Sequence, residues 1–154
     1  MANPLFPAKF DDTYHGHRLA LWLLGLLLLM KAAMGLGVIF NGHAAASRAD
    51  GIPIDSFAPG AAQTVLALFA IWGLSQVILA LLGTVALVRY RAMVPFVLAL
   101  ILLEHAGRKL VLYFLPVVKT GRPPGFAINL VLFAVEIVGL VLALCPRKTT
   151  PPPE

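Results

Sequence analysis

One cysteine, Cys145, stands in a chain of 154 residues. A single thiol cannot close an internal disulfide, and no zinc-type Cys or His spacing accompanies it. Acidic residues are scarce too: seven Asp and Glu against twelve Lys and Arg, with 12% of the chain charged. Soluble domains carry about a quarter charged residues, so an ordinary water-facing surface is excluded. The net charge of +5 could suit nucleic acid. The basic residues lie instead at the ends of apolar runs, which is the pattern of membrane orientation, and nucleic acid is set aside as a partner. There is no phosphate-binding loop, nucleophile elbow or internal repeat. Ser75 next to Gln76 lacks a base at motif spacing. A non-enzymatic role is therefore the expectation.

What the chain has is hydrophobicity: 60% of it is apolar. The excess falls in four stretches, residues 19–40, 61–88, 92–118 and 126–145. Each provides the ~20 residues that a helix needs to cross ~30 Å of hydrocarbon. Helices satisfy their own backbone hydrogen bonds in lipid, and single strands cannot. The expected fold is all-α, a polytopic membrane protein built as an antiparallel four-transmembrane-helix bundle, with the lipid bilayer as its first partner. The apolar run at 19–40 is too long for the core of a signal peptide, so it is expected to be retained as a span.

Lys and Arg set the orientation. Lys9, Arg18, Arg89, Arg91, Arg147 and Lys148 fall on one side, and Arg48, Lys119 and Arg122 on the other. This split predicts both termini in the cytoplasm. The turn Arg89-Tyr90-Arg91 is so short that the second and third spans must be antiparallel neighbours. Residues 1–18 read as a cytoplasmic surface arm, with Asp12-Thr13 as a candidate helix cap. Residues 41–60 form the one sizeable outside loop. Gly42 can end the first helix, and Ile52, Ile54 and Phe57 predict that the loop packs back on the bundle. Residues 146–154 read as a disordered cytoplasmic tail.

Polar residues interrupt the spans at a shared depth. Lys31 and Glu104 lie twelve residues past the starts of their stretches, and Gln76 twelve before the end of its own. Each is roughly 18 Å in at ~1.5 Å per residue. Glu136, nine before Cys145, is roughly 14 Å in. A central charge costs ~2.5–3.5 kcal/mol on insertion scales, so a common depth predicts that these groups meet inside the bundle.

Helical spacing agrees. Glu104 and Arg108 are i,i+4 neighbours and can pair, with Gly107 opening space beside them. Gly73, Gln76, Ala80 and Gly83 form one small and polar stripe. Asn129, Glu136 and Gly139 form another, and Lys31 is followed one turn on by Gly35. Small residues mark close helix contacts in membranes. The candidate ligand or proton pocket is thus Lys31, Gln76, Glu104, Arg108 and Glu136, supported by His105 and Asn129. Lys109 is expected to reach outward, with His105 pointing the same way. The alternative is purely structural: paired charges that fix which helices touch.

Weaker signals lead elsewhere. His15 and His17 alternate as metal ligands can, but they read as interfacial anchors, and no metal site is expected. His43 and His105 differ by about 18 Å in depth, too far apart to ligate one haem. Trp22, Tyr90 and Tyr113 suit interface belts or packing.

The second half carries a likeness. Gly107-Arg108, then Thr120-Gly121-Arg122-Pro123-Pro124, then Glu136 resemble an uncharacterised group of bacterial four-helix inner-membrane proteins related to the DoxX-like superfamily. The likeness covers residues 104–144. It implies a four-helix bundle in a bacterial inner membrane, with Arg108 and Glu136 as a functional or structural pair. Some DoxX-like proteins are linked to quinone-dependent redox chemistry, which makes quinone the one cofactor to consider. Three roles follow as expectations. The first is a membrane protein whose central pocket binds a small or lipophilic ligand or conducts protons or ions. The second is an accessory subunit of a larger membrane complex. The third is a quinone-linked redox component. Homodimerisation would assist any of them.

Overall fold

The computed structural model describes residues 5, 7, 9–121 and 123–145. The tail expected at 146–154, with Arg147 and Lys148, lies outside the described residues, as does Arg122. The chain forms four long helices: α1 (Arg18–Phe40), α2 (Pro59–Arg89), α3 (Val94–Phe114) and α4 (Pro124–Leu144). Among the described residues there is no strand. Three helices begin with proline in the first turn, Pro59, Pro95 and Pro124. Proline suits that position because the amide hydrogen it lacks would have no helical partner there.

Three helices, α1, α2 and α4, are long and apolar enough to cross a membrane. The third expected span needs correction. It was expected to run to residue 118, but α3 stops at Phe114. The cause is local: Leu115 precedes Pro116, and a residue before proline is pushed out of helical geometry. The shorter α3 also carries Glu104, Arg108 and Lys109 within any stretch of spanning length, so it is less apolar than the other three.

The helices alternate in direction, as their contacts require. Along α1 and α2, Leu28 meets Gly83, Lys31 meets Gln76, and Gly35 meets Gly73. Gln76 of α2 meets Glu104 of α3, and His105 of α3 meets Glu136 of α4. Gly139 of α4 packs on Leu98 of α3 and Leu23 of α1. The expected small and polar stripe on α2 is its buried face: Gly73, Gln76, Ala80, Gly83 and Ala86 are all buried. The opposite faces present Leu29, Leu68, Leu81, Leu82 and Val131, an exposed apolar surface.

α1 packs most extensively on α2, whereas α2 and α3 adjoin sparsely. The backbones of α1 and α2 approach closely at Gly35 and Gly73. A Cβ on Gly35 would sit 2.6 Å from the Gly73 carbonyl oxygen, and one on Gly73 would sit 2.7 Å from that of Gly35. Only glycine lets these backbones come so close.

The two ends of the bundle differ. The end that holds the N-terminal arm is filled by one apolar cluster that includes Ala20, Leu24, Leu28, Val94, Leu98 and Ile101. The arm straps this end more closely than a surface arm would. The His17 amide donates to the Leu142 carbonyl (3.0 Å), and the Ala92 amide donates to the Asp11 carbonyl (3.2 Å). Asp12 lies 3.4 Å from the Arg91 side chain, and Gly16 packs on the Ala143 carbonyl. Half-burial pushes the Tyr14 phenol up to about 12. Asp12-Thr13 does not cap the helix. His17 does, accepting from the Leu19 amide through Nδ1 at 3.2 Å, while Thr13 bonds to Asp11 instead.

The opposite end carries the loop. It holds a short helix (Gly42–Ala44), a π-helical turn (Ala45–Ala49) and a 3-10 turn (Ile54–Ser56). It packs back in part: Ala46, Ile52 and Ile54 are buried on Val65, Leu66 and Phe69 of α2, whereas Phe57 stays exposed. Gly51, at φ 72°, turns its carbonyl to accept from both the amide (2.7 Å) and the hydroxyl (3.0 Å) of Thr120. The loop leaves the end of α3 uncovered, and residues 109–121 are all exposed.

Asp50 sits beside that turn. Burial pushes its carboxyl above the usual carboxylate range, against the pull of Lys119 and Arg108. A carboxyl raised on folding binds its proton more tightly when folded, so stability falls as pH rises through the interval above 3.8. Asp50→Asn is therefore expected to flatten that fall and to leave the protein at least as stable at neutral pH. Thermal unfolding in detergent across pH checks this; an Asn variant with a steeper fall than the parent would refute it.

Candidate functional site

Four helices place polar side chains at one level of the bundle. Lys31 on α1 is buried, and its Nζ donates to Gln76 Oε1 at 2.7 Å and to Glu104 Oε2 at 2.9 Å. Gln76 Nε2 in turn donates to Glu104 Oε1 at 3.2 Å. The three side chains close a ring across α1, α2 and α3 in which both carboxylate oxygens are filled. Arg108 adds a longer contact, Nη1 to Glu104 Oε1 at 3.9 Å, one turn along α3. The i,i+4 pairing expected from spacing is present, though at ion-pair rather than hydrogen-bond distance.

A second pair lies beside the first. His105 Nδ1 is 3.1 and 3.0 Å from the two oxygens of Glu136. Both side chains are essentially sealed, 3% and 2% exposed. The Phe133 ring packs edge-on to the imidazole at 5.1 Å. This corrects the expected outward course of His105. Successive helical residues differ by about 100°, and on a helix with one neighbour that rotation would carry His105 away from the bundle. α3 has neighbours on two sides, so Glu104 faces α1 and α2 while His105 faces α4. Lys109 does turn outward, with its Nζ 4.8 Å from the Phe133 ring centre.

The pair that the family resemblance implied, Arg108 with Glu136, is divided between two clusters: Glu136 binds His105, and Arg108 faces Glu104. Asn129 is half-buried but joins neither network, because its Nδ2 donates to the Gly125 carbonyl one turn back (2.8 Å). Sequence spacing also left out Trp72. Its indole lies under the Arg108 guanidinium, 5.1 Å from ring centre to Cζ. The signal was available, since Trp72 and Gln76 are i,i+4 and share a face.

Between the two clusters is a cavity of ≈ 20 Å³. Lys31, Gln76, His105, Arg108, Asn129 and Glu136 line it, with Leu27, Met34, Trp72 and Leu132 as apolar wall. This is room for about one water molecule, which needs ~10–15 Å³. Among the described residues, no buried side-chain nitrogen or oxygen lacks a hydrogen bond. Toward the arm end the apolar cluster closes the site. Toward the loop end lie the partly exposed Glu104 and Arg108.

Two other histidines are occupied elsewhere. His17 caps α1, and His43 pairs with Asp55 at 2.8 Å in the loop. Among the described residues no group of three His, Cys, Asp or Glu is placed to hold a metal. No family model, curated protein or solved structure matches the chain.

Proposed function

We propose that this is a bacterial inner-membrane protein that crosses the bilayer four times with both termini in the cytoplasm, and that it carries protons through its polar layer. The orientation rests on the distribution of Lys and Arg, and the bacterial setting on the DoxX-like motifs. The observation that supports proton carriage is the sealed His105–Glu136 pair against a water-sized cavity. An imidazole and a carboxylate in contact can hold one proton or two. The cavity also borders Lys31 and Gln76, which hold Glu104 in place. Ionisable groups at this depth are a functional hypothesis by default. The volume favours protons over a quinone or other large ligand, whose pockets measure about 300–1,000 Å³. Protons load from the loop end, and release at the other end requires the apolar cluster to loosen.

The test is proton flux into proteoliposomes carrying a pH-sensitive dye, driven by a potassium diffusion potential. Wild-type protein is expected to acidify the lumen faster than protein-free vesicles. Glu136→Gln is expected to return the rate to that background while still inserting and running as wild type on a sizing column. Wild-type flux no greater than that of empty vesicles would reject the reading.

A further inference from the structure

Arg108 is a largely covered charge with little direct pairing. Among the described residues it donates no hydrogen bond. Its nearest acceptor, Glu104 Oε1, is 3.9 Å away, and both oxygens of that carboxylate already accept from Lys31 and Gln76. Yet three-quarters of the Arg108 side chain is covered, with 25% exposed. A guanidinium presents five N–H donors in a rigid planar fork. Its Cζ lies over the Trp72 ring, 5.1 Å from the ring centre. Arg108 lines the cavity together with Asn129.

We propose that Arg108 binds the carboxylate of a single-chain amphiphile, a fatty acid, that enters from the bilayer between α2 and α3. A planar two-oxygen anion matches the guanidinium fork, and such bidentate pairs are the strong ones. The cavity, about 20 Å³, admits roughly one oxygen of a head group and is too small for a glycerophosphate. The entry route is apolar and uncovered. Leu68 lies one turn from Trp72 on α2, and Val111 and Leu112 lie one turn from Arg108 on α3. They are 61%, 56% and 41% exposed. Along this side α2 and α3 adjoin sparsely, so a chain has room to lie against them while its head reaches Arg108. The inference does not rest on proton movement: binding and flux are separate measurements, and either can fail alone.

The chain has two tryptophans, so Trp22→Phe leaves Trp72 as the single emitter. This variant, purified in neutral detergent, is titrated with dibrominated stearic acid, whose bromines quench indole fluorescence at contact. Quenching is expected to saturate. Oleate is expected to compete and oleyl alcohol to fail. Arg108→Gln in the same background is expected to weaken apparent affinity about tenfold or more, since a hydrogen bond to a charged group is worth ~1.5–3 kcal/mol. Arg108→Lys weakens it too, because an ammonium lacks the fork. Three results would overturn the proposal: equal quenching by the brominated methyl ester, equal competition by the alcohol, or stronger quenching by a brominated phosphatidylglycerol. The ester, alcohol and phospholipid comparisons use the Trp22→Phe chain alone, so the test stands even where an Arg108 variant does not fold.

Discussion

His105→Leu is expected to be the most damaging single replacement in the chain. It leaves Glu136, 2% exposed, without the one side-chain partner it has among the described residues and without access to bulk water. Removing one member of a buried ion pair costs about 3–5 kcal/mol, because the survivor keeps its desolvation penalty and loses its compensation. In detergent the variant should unfold at markedly lower temperature or fail to accumulate. The double variant His105→Leu, Glu136→Leu should recover most of the loss, since two apolar side chains between α3 and α4 leave no polar group stranded. This pair of results also separates role from scaffold. A double variant that folds but conducts no protons assigns the pair to function. One as unstable as the single variant would show that the cost comes from packing around His105 and not from a stranded carboxylate.

Gly73→Leu should have the next largest effect, for a different reason. The Gly73 backbone lies against that of Gly35, where a Cβ would stand 2.7 Å from a carbonyl oxygen. Backbone cannot swing aside as a side chain can, so α1 and α2 must separate. Overpacking of this kind costs about 1–3 kcal/mol. The separation falls beside Lys31 and Gln76, one turn away, so their 2.7 Å contact is lost with it. Both thermal stability in detergent and proton flux should therefore fall. Gly107→Leu is the matched control, because a Cβ there meets nothing within 4 Å. Equal effects from the two leucines would refute this account of the α1–α2 contact.

The residues differ in how readably they announced their places. Gly73, Gln76, Ala80 and Gly83 were legible because small and polar side chains at helical spacing cannot face lipid cheaply, so their stripe had to be interior. Lys31 and Glu104 were legible for the same reason, and depth alone matched them. His105 was not, because periodicity gives the angle between two side chains but not how many neighbours the helix has. Arg108 was half legible: its link to Glu104 follows from i,i+4 spacing, while its seat on Trp72 depends on how α2 and α3 approach. The end of α3 at Phe114 was written in Pro116, but a continuous apolar run masked it. The helical turns in the 41–60 loop were hidden by its glycines and prolines, though Ala44-Ala45-Ala46 favours helix.

The two ends of the bundle are built differently. One end is a solid peg, strapped by the N-terminal arm. The other is a loose fork whose α3 tine stands bare. A change in the spacing of α1 and α2 at their glycine contact would reach the charge ring directly, because Gly35 lies one turn from Lys31 and Gly73 one turn from Gln76.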